Sequence, residues 1–495
     1  MVERVVVIGA GMAGLCTALS LAPTGRELHL LERDEAPPEG DADAAFADWS
    51  RRGVGQLRHS HAFLARLRTI IKDHHPALLE RLREAGCREI SFVDMLPDAL
   101  KTDYQPAPGD ADMAVLTSRR TTLELVMRRY VEGLANVTVH SGAFVREAII
   151  DTLDGGQIRI AGVRGEQSGE TREWRGDLTV DGAGRTSDIH EQIKAAGGAV
   201  TEEAEDCGIL YYTRHYRFLP GVGEPARGRT SGTGDLTFIK YGLFPGDNGC
   251  FSITLAVPDI EMGLRAAVVD PKVFDTICGL LPGLAIWTNP DTAEPISKVF
   301  GMGDLKSRWR SFISADQRAT LGFFAVGDSL VRTNPLYGRG CSFAAIEADL
   351  LRQVLETTHD PAARARVYDS RVKAELTPYY TDMRTQDRAA ARRARNALNP
   401  AYKAPLRSQV LTSFLNDGVR IAVRSDLDLL RAALRDFHMM DPPGAWIRKP
   451  GNLARIMRWW SRGKDRNADL YPPPLGPDRS EMMQKLGLDP AATAA

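Results

Sequence analysis

The chain has 495 residues, too many for one small core, so two or three structural units are expected. Its 63 Lys+Arg and 64 Asp+Glu nearly cancel, so no overall field recruits nucleic acid or an anionic membrane, and neither partner is expected. Six scattered cysteines without a C-x-x-C pair argue against a zinc ribbon or disulfide framework, and no apolar run reaches the ~18 residues that cross a bilayer. A cytoplasmic location is the expectation, because the N-terminal apolar stretch lacks a signal-peptide cleavage site.

Arg4 to Ile8 is a β-branched run and reads as a buried parallel strand. "GAGMAG" follows, then "LCTALSLA" at helical spacing, which makes strand, G-x-G-x-x-G (Gly9, Gly11, Gly14) and helix. In that context Gly9 makes the tight turn, Gly11 admits a pyrophosphate to the helix N-terminus and Gly14 lets helix and strand close up. A second strand, Leu28 to Leu31, ends in Glu32 and Arg33. An acidic side chain there accepts hydrogen bonds from a ribose diol, so a dinucleotide is bound. A fingerprint at the N-terminus with no later copy favours a resident FAD. His74 and His75, before Pro76, read as solvated turn residues.

Between residues 205 and 300 the pattern changes to strands. "GILYYTRHYRFL" is one, and "DLTFIKYGLF" and "CFSITLAV" form a hairpin around "PGDNG". Tyr211, Tyr212, Phe238 and Tyr241 alternate there; some line a pocket, but core packing is the better reading for any one of them. A further apolar run, Leu321 to Val326, leads into "GDSLVRTNPLYGRGCSF" and an Ala-rich helix. Asp328 ends that strand, where a carboxylate binds a hydroxyl such as one of ribitol. Pro335 stiffens the loop, and Gly338 and Gly340 let backbone N–H groups approach a flat ring. The helix from about Cys341 aims its positive end the same way, where it stabilises the negative N1–C2=O edge of a reduced flavin. Beyond residue 360 the chain is helical and Arg-rich, with an amphipathic stretch "NLARIMRWWSRGKDR" suited to capping a pocket, meeting a partner or touching a membrane.

Four patches together resemble the FAD-dependent monooxygenases of the aromatic-hydroxylase type, with their epoxidase and halogenase relatives. They are "GAGMAG" with Glu32, "SRRTTLE" (Ser118 to Glu124), "DLTVDGAGRTS" (Asp177 to Ser187) and "FFAVGDSLVRTNPLYGRG". The resemblance implies an α/β fold: a discontinuous Rossmann-like FAD-binding domain (1–200 and 301–360), an inserted mixed β-sheet substrate domain (201–300) and a helical C-terminal region (361–495). It places Arg120 near the flavin's pyrophosphate or ribityl chain. It also draws attention to "RRGVGQLRHSHAF", since Gln and His residues of a similar loop lie beside the flavin ring. Arg58, His59 and His61 are the candidates there for contacting flavin or substrate or relaying protons. Alternatively the two histidines simply begin the next helix. No metal site is expected.

Ala183 stands before Gly184 where many aromatic hydroxylases carry an Asp-Gly pair, and the halogenase signature W-x-W-x-I-P is absent. The implied function is an FAD monooxygenase, hydroxylase or epoxidase, that transfers oxygen from a flavin C4a-hydroperoxide to a hydrophobic aromatic or alkene small molecule. O2 is its co-substrate, and NAD(P)H supplies electrons directly or through a flavin reductase. The alternatives are a reductase of the prenyl-reductase type, a halogenase, or a flavoprotein serving as a scaffold.

Overall fold

A computed structural model describes residues 2–226 and 230–489. In chain order its main elements are β1 (Arg4–Ile8), α1 (Met12–Leu21), β2 (Glu27–Glu32), α2 (Arg120–Glu132), β3 (Val137–Ser141) and β4 (Leu178–Asp181). Then come β5 (Ile209–Phe218), β6 (Lys240–Pro245), β7 (Cys250–Pro258), β8 (Phe323–Ala325), α3 (Gly340–Thr357) and α4 (Pro361–Ala397).

Five strands form a parallel sheet in the order β8-β4-β1-β2-β3. Val5, Val6 and Val7 of β1 are fully buried, as a central parallel strand with helices on both faces requires. The outermost strand on one side, β8, comes from far down the chain and pairs with β4 through Val180 and Phe324. The first Gly-rich turn and the loop after β8 are thereby fixed to the same end of one sheet.

The insertion is an antiparallel sheet around β6-β7-β5, edged by Thr233–Asp235 and Ala293–Pro295. Alternation divides its side chains. Tyr212, Tyr216, Ile253 and Leu255 enter a core with Phe274 and Ile277. Tyr211, Thr213, Thr254 and Ala256 point the other way and line a cavity. Of the four aromatics noted in the sequence, Tyr211 and Tyr241 line that cavity, whereas Tyr212 and Phe238 are core.

The C-terminal helices do not stand apart. Helix α4, capped by Asp360 on Ala363 N and opened by Pro361, sends Tyr368, Val372, Leu376 and Met383 into the core of the parallel sheet. Met482 and Met483, near the end of the described chain, pack into the core of the antiparallel sheet. No described helix is long and apolar enough to cross a membrane.

Candidate functional site

One cavity of about 970 Å³ runs from the parallel sheet to the antiparallel one. Gly9, Gly11, Glu32, Arg33, Arg120, Asp328, Pro335, Gly338 and Gly340 all line it, so nine of the ten expected cofactor residues come together. The tenth, Gly14, lies behind: a Cβ there would stand 1.9 Å from Gly9 O, so it serves the contact between α1 and the turn. At Gly11 a Cβ would meet nothing closer than 3.8 Å, because that position opens into the cavity.

Two of the helices that start at the cavity start uncapped and without an acidic first turn. Helix α1 begins after Gly11 and α3 after Arg339; neither has a side-chain cap or an acidic residue in its first turn. Their free N–H groups and dipoles therefore face the same space, suited to negative charge at two places. Gly338 adopts φ +64°, which turns the loop before α3. The Asp328 carboxylate has no hydrogen-bond partner among the described residues. Burial raises its pKa, with Arg332, Arg120, Arg308 and Arg185 opposing. Behind it, the buried Glu347 carboxyl accepts from Gly327 N and fixes the turn.

Glu32 is braced from three sides. Its Oε2 accepts from Ala10 N at 2.8 Å and Arg51 at 2.7 Å, and its Oε1 accepts from Asp34 N at 3.1 Å. One of its four lone-pair positions stays open to the cavity. Arg51 also reaches Asp34 and Glu124, and Glu124 accepts from Arg120 Nε at 2.6 Å. Arg51 lies in "RRGVGQLRHSHAF" but has no motif to mark it. Helix α2 is pinned at its start by Asp247 of the "PGDNG" turn, which accepts from Arg119 N, the Arg119 guanidinium and Thr122. A turn that reads as a plain hairpin therefore also sets where Arg120 stands.

The three residues drawn from "RRGVGQLRHSHAF" separate. Arg58 does not line the cavity: its guanidinium donates to the carbonyls of Phe46, Ala47 and Trp49, closing the helix Ala42–Asp48. His61 donates from Nδ1 to His59 O and accepts at Nε2 from Arg120. Burial and the Arg120 charge hold it well below its usual pKa, so it is a neutral support for that arginine. His59 lines the cavity with Nδ1 2.9 Å from Thr213 Oγ1, and burial lowers it to about 4. From Thr213 a hydroxyl chain runs to Thr254 (2.7 Å), Ser60 (2.8 Å) and Ser252 (2.7 Å). Both histidines precede the helix Ala65–His74. His75 differs from its sequence reading: it is buried, with Nε2 donating to Leu19 O at 2.7 Å, because α1 packs over that turn. No group of residues suited to a metal occurs among the described residues.

Two uncapped helix starts, a braced Glu32, an open carboxylate at Asp328 and space where side chains are missing all fit one elongated dinucleotide, FAD. At the start of the chain, this fold and site are those of an FAD-dependent oxidoreductase domain. Residues 4–206 match the family model described as FAD dependent oxidoreductase, and the chain carries a domain of that family. A Mycobacterium tuberculosis protein, Rv3254, is 27% identical over 376 residues, covering 72% of this chain and 73% of that one. Squalene monooxygenase SE2 of Panax ginseng is 22% identical over 365 residues, 72% of this chain and 59% of that protein. Among solved structures, the flavin-dependent brominase Bmp2 superposes with a TM-score of 0.59 at 16% identity, covering 93% of this chain and all of that one. The p-nitrophenol 4-monooxygenase PnpA of Pseudomonas putida gives 0.58 at 16% identity, over 89% and 98%. The fold is shared with these two solved structures.

Proposed function

We propose that the protein is an FAD-dependent monooxygenase, a hydroxylase or epoxidase, acting on a hydrophobic aromatic or alkene small molecule. The observation that carries this reading is the single cavity joining these two uncapped helix starts to an apolar wall of Tyr211, Tyr241, Phe244, Ala256, Met302 and Leu336. Gly11 and the start of α1 take the diphosphate, Glu32 and Arg33 the adenosine end, and Asp328 a ribityl hydroxyl. Pro335, Gly338, Gly340 and the start of α3 lie against the ring. Bound there, FAD supplies the activation of O2, using electrons from NAD(P)H taken directly or through a flavin reductase.

The chain's own part is to bind, orient and exclude water. The antiparallel sheet presents its apolar face to the substrate, and His61 with Glu124 holds the Arg120 guanidinium in one orientation. With burial holding His59 neutral, the hydroxyls of Thr213, Thr254 and Ser60 beside it relay a proton to or from the substrate. The test is to supply the reduced holoprotein with 18O2 and a panel of phenols and alkenes. One atom of 18O in the product is expected. A saturated product without label makes the protein a reductase, and a halogenated product dependent on added bromide makes it a halogenase.

A further inference from the structure

The loop 334–340 is held from outside the parallel sheet, at a point no motif marks. Asp387 of α4 is buried, and its Oδ1 accepts two hydrogen bonds: from Asn334 Nδ2 at 2.8 Å and from Tyr337 OH at 2.8 Å. Asn334 is 1% exposed, and its Oδ1 accepts from Leu336 N at 3.1 Å and from Tyr211 OH of β5. The two ends of an amide have the same shape and opposite hydrogen-bonding sense. A carboxylate accepts only, so Asp387 can face only the NH2 of Asn334, and the oxygen must then face Leu336 N. Turned over, the amide would set oxygen against oxygen at Asp387 and N–H against N–H at Leu336. One carboxylate thus fixes an amide, the amide fixes the turn through Pro335, and the turn places Gly338 and the start of α3. A second strut follows the same path: Arg339 stacks on the rings of Tyr337 and Tyr379 and pairs with Asp382 of α4 at 3.4 Å.

We infer that Asp387 is a positioning residue for the flavin: through Asn334 and Tyr337 it sets the loop and helix start that face the flavin ring, and so tunes its binding and its reduction. This rests on the FAD reading above. It gives α4, which lies outside the matched residues 4–206, a part in the cofactor site. Through Tyr211 it also links the substrate sheet to the flavin loop by two side chains.

The experiment compares wild type, Asp387→Asn, Asp387→Ala and Tyr337→Phe as purified proteins titrated with FAD, recording Kd, visible spectrum, midpoint potential and melting temperature. Asp387→Asn keeps an acceptor oxygen for both donors and should stay within about twofold of wild type in Kd. Asp387→Ala should bind FAD about tenfold more weakly, with a shifted spectrum and a lower midpoint potential, since the start of α3 is then held by the Arg339 strut alone. A lower melting temperature with unchanged Kd, spectrum and potential would make Asp387 a packing residue and overturn the inference. Should Asp387→Ala not fold, Tyr337→Phe decides, because it removes one donor and no volume: a wild-type potential and Kd there overturn the inference too. A wild-type protein that binds no FAD defeats the functional reading itself, a different result from either of these.

Discussion

Arg51 donates to Glu32 at 2.7 Å with its side chain 1% exposed, and the same guanidinium reaches Asp34 and Glu124. One cation therefore holds three buried carboxylates beside the dinucleotide turn. Arg51→Ala should leave Glu124 with Arg120 alone and strip Glu32 and Asp34 of this guanidinium, costing about 3–5 kcal/mol of stability, measured by urea unfolding. Arg51→Lys should not restore it, because an ammonium lacks the planar fork that serves three partners at once.

The glycines of the two loops should respond oppositely to enlargement. Gly14→Ala forces a Cβ to 1.9 Å from a backbone oxygen and should fail to fold. Gly11→Val has room in the protein but fills the space of the diphosphate; it should keep its circular dichroism spectrum and lose FAD. At Gly340 the nearest atom to a Cβ is Thr333 Oγ1 at 3.7 Å, so Gly340→Val should fold and keep most of its FAD. Pushed off the helix start, the flavin should drop in potential by tens of millivolts, since a helix end is worth up to ~2 kcal/mol and 30 mV is ~1.4 kcal/mol. An unchanged potential would make the loop a surface turn.

Thr213→Val removes the hydroxyl between His59 and Thr254 while keeping the side chain's outline. The melting temperature should fall modestly, as two buried groups lose a partner worth about 1–3 kcal/mol, whereas product formation should slow by about a hundredfold, the scale of lost acid–base assistance. The same variant should lose the solvent deuterium effect of the wild type.

Stability should fall in mild acid. His438 is fully buried with neither ring nitrogen hydrogen-bonded among the described residues, and burial lowers it from 6.5 to about 4. Between those values the unfolded chain takes up a proton that the folded one refuses. Its contribution is therefore complete above pH 6.5 and is lost as pH falls toward 4. The loss amounts to about 3 kcal/mol at most, and His59 and His215, lowered in the same way, add to it. Urea melts at pH 7.5 and 4.5 should differ less in His438→Leu than in wild type.

Both glycine loops were legible because each lies within one strand-turn-helix unit, where spacing along the chain is spacing in space. The same holds for the alternation on β5 and around the start of β6. Arg51 was not legible, because its partners Glu32, Asp34 and Glu124 meet only once α2 packs against the first turn. Nor was Asp387, which reads as one more acid on a charged helix until that helix crosses the loop. Arg58 and His59 are neighbours in sequence with similar prospects; burial of one and the carbonyls around the other decide between them. His75 was misread because the Leu19 carbonyl that holds it belongs to another helix.

The late arrival of β8 has a consequence during synthesis. When Asp181 leaves the ribosome, β4 is a hydrophobic parallel strand with its outer edge unpaired, and Phe323–Ala325 is not yet made. At ~5–20 residues per second this interval lasts roughly 7–30 s. Over that time the nascent sheet carries an open edge of the kind other chains pair with. The flavin loop is also missing, so added cofactor cannot rescue the chain at this stage. Yield in a cell should therefore depend on chaperones that shield that edge and on the speed of translation through the insertion, and respond little to riboflavin supply.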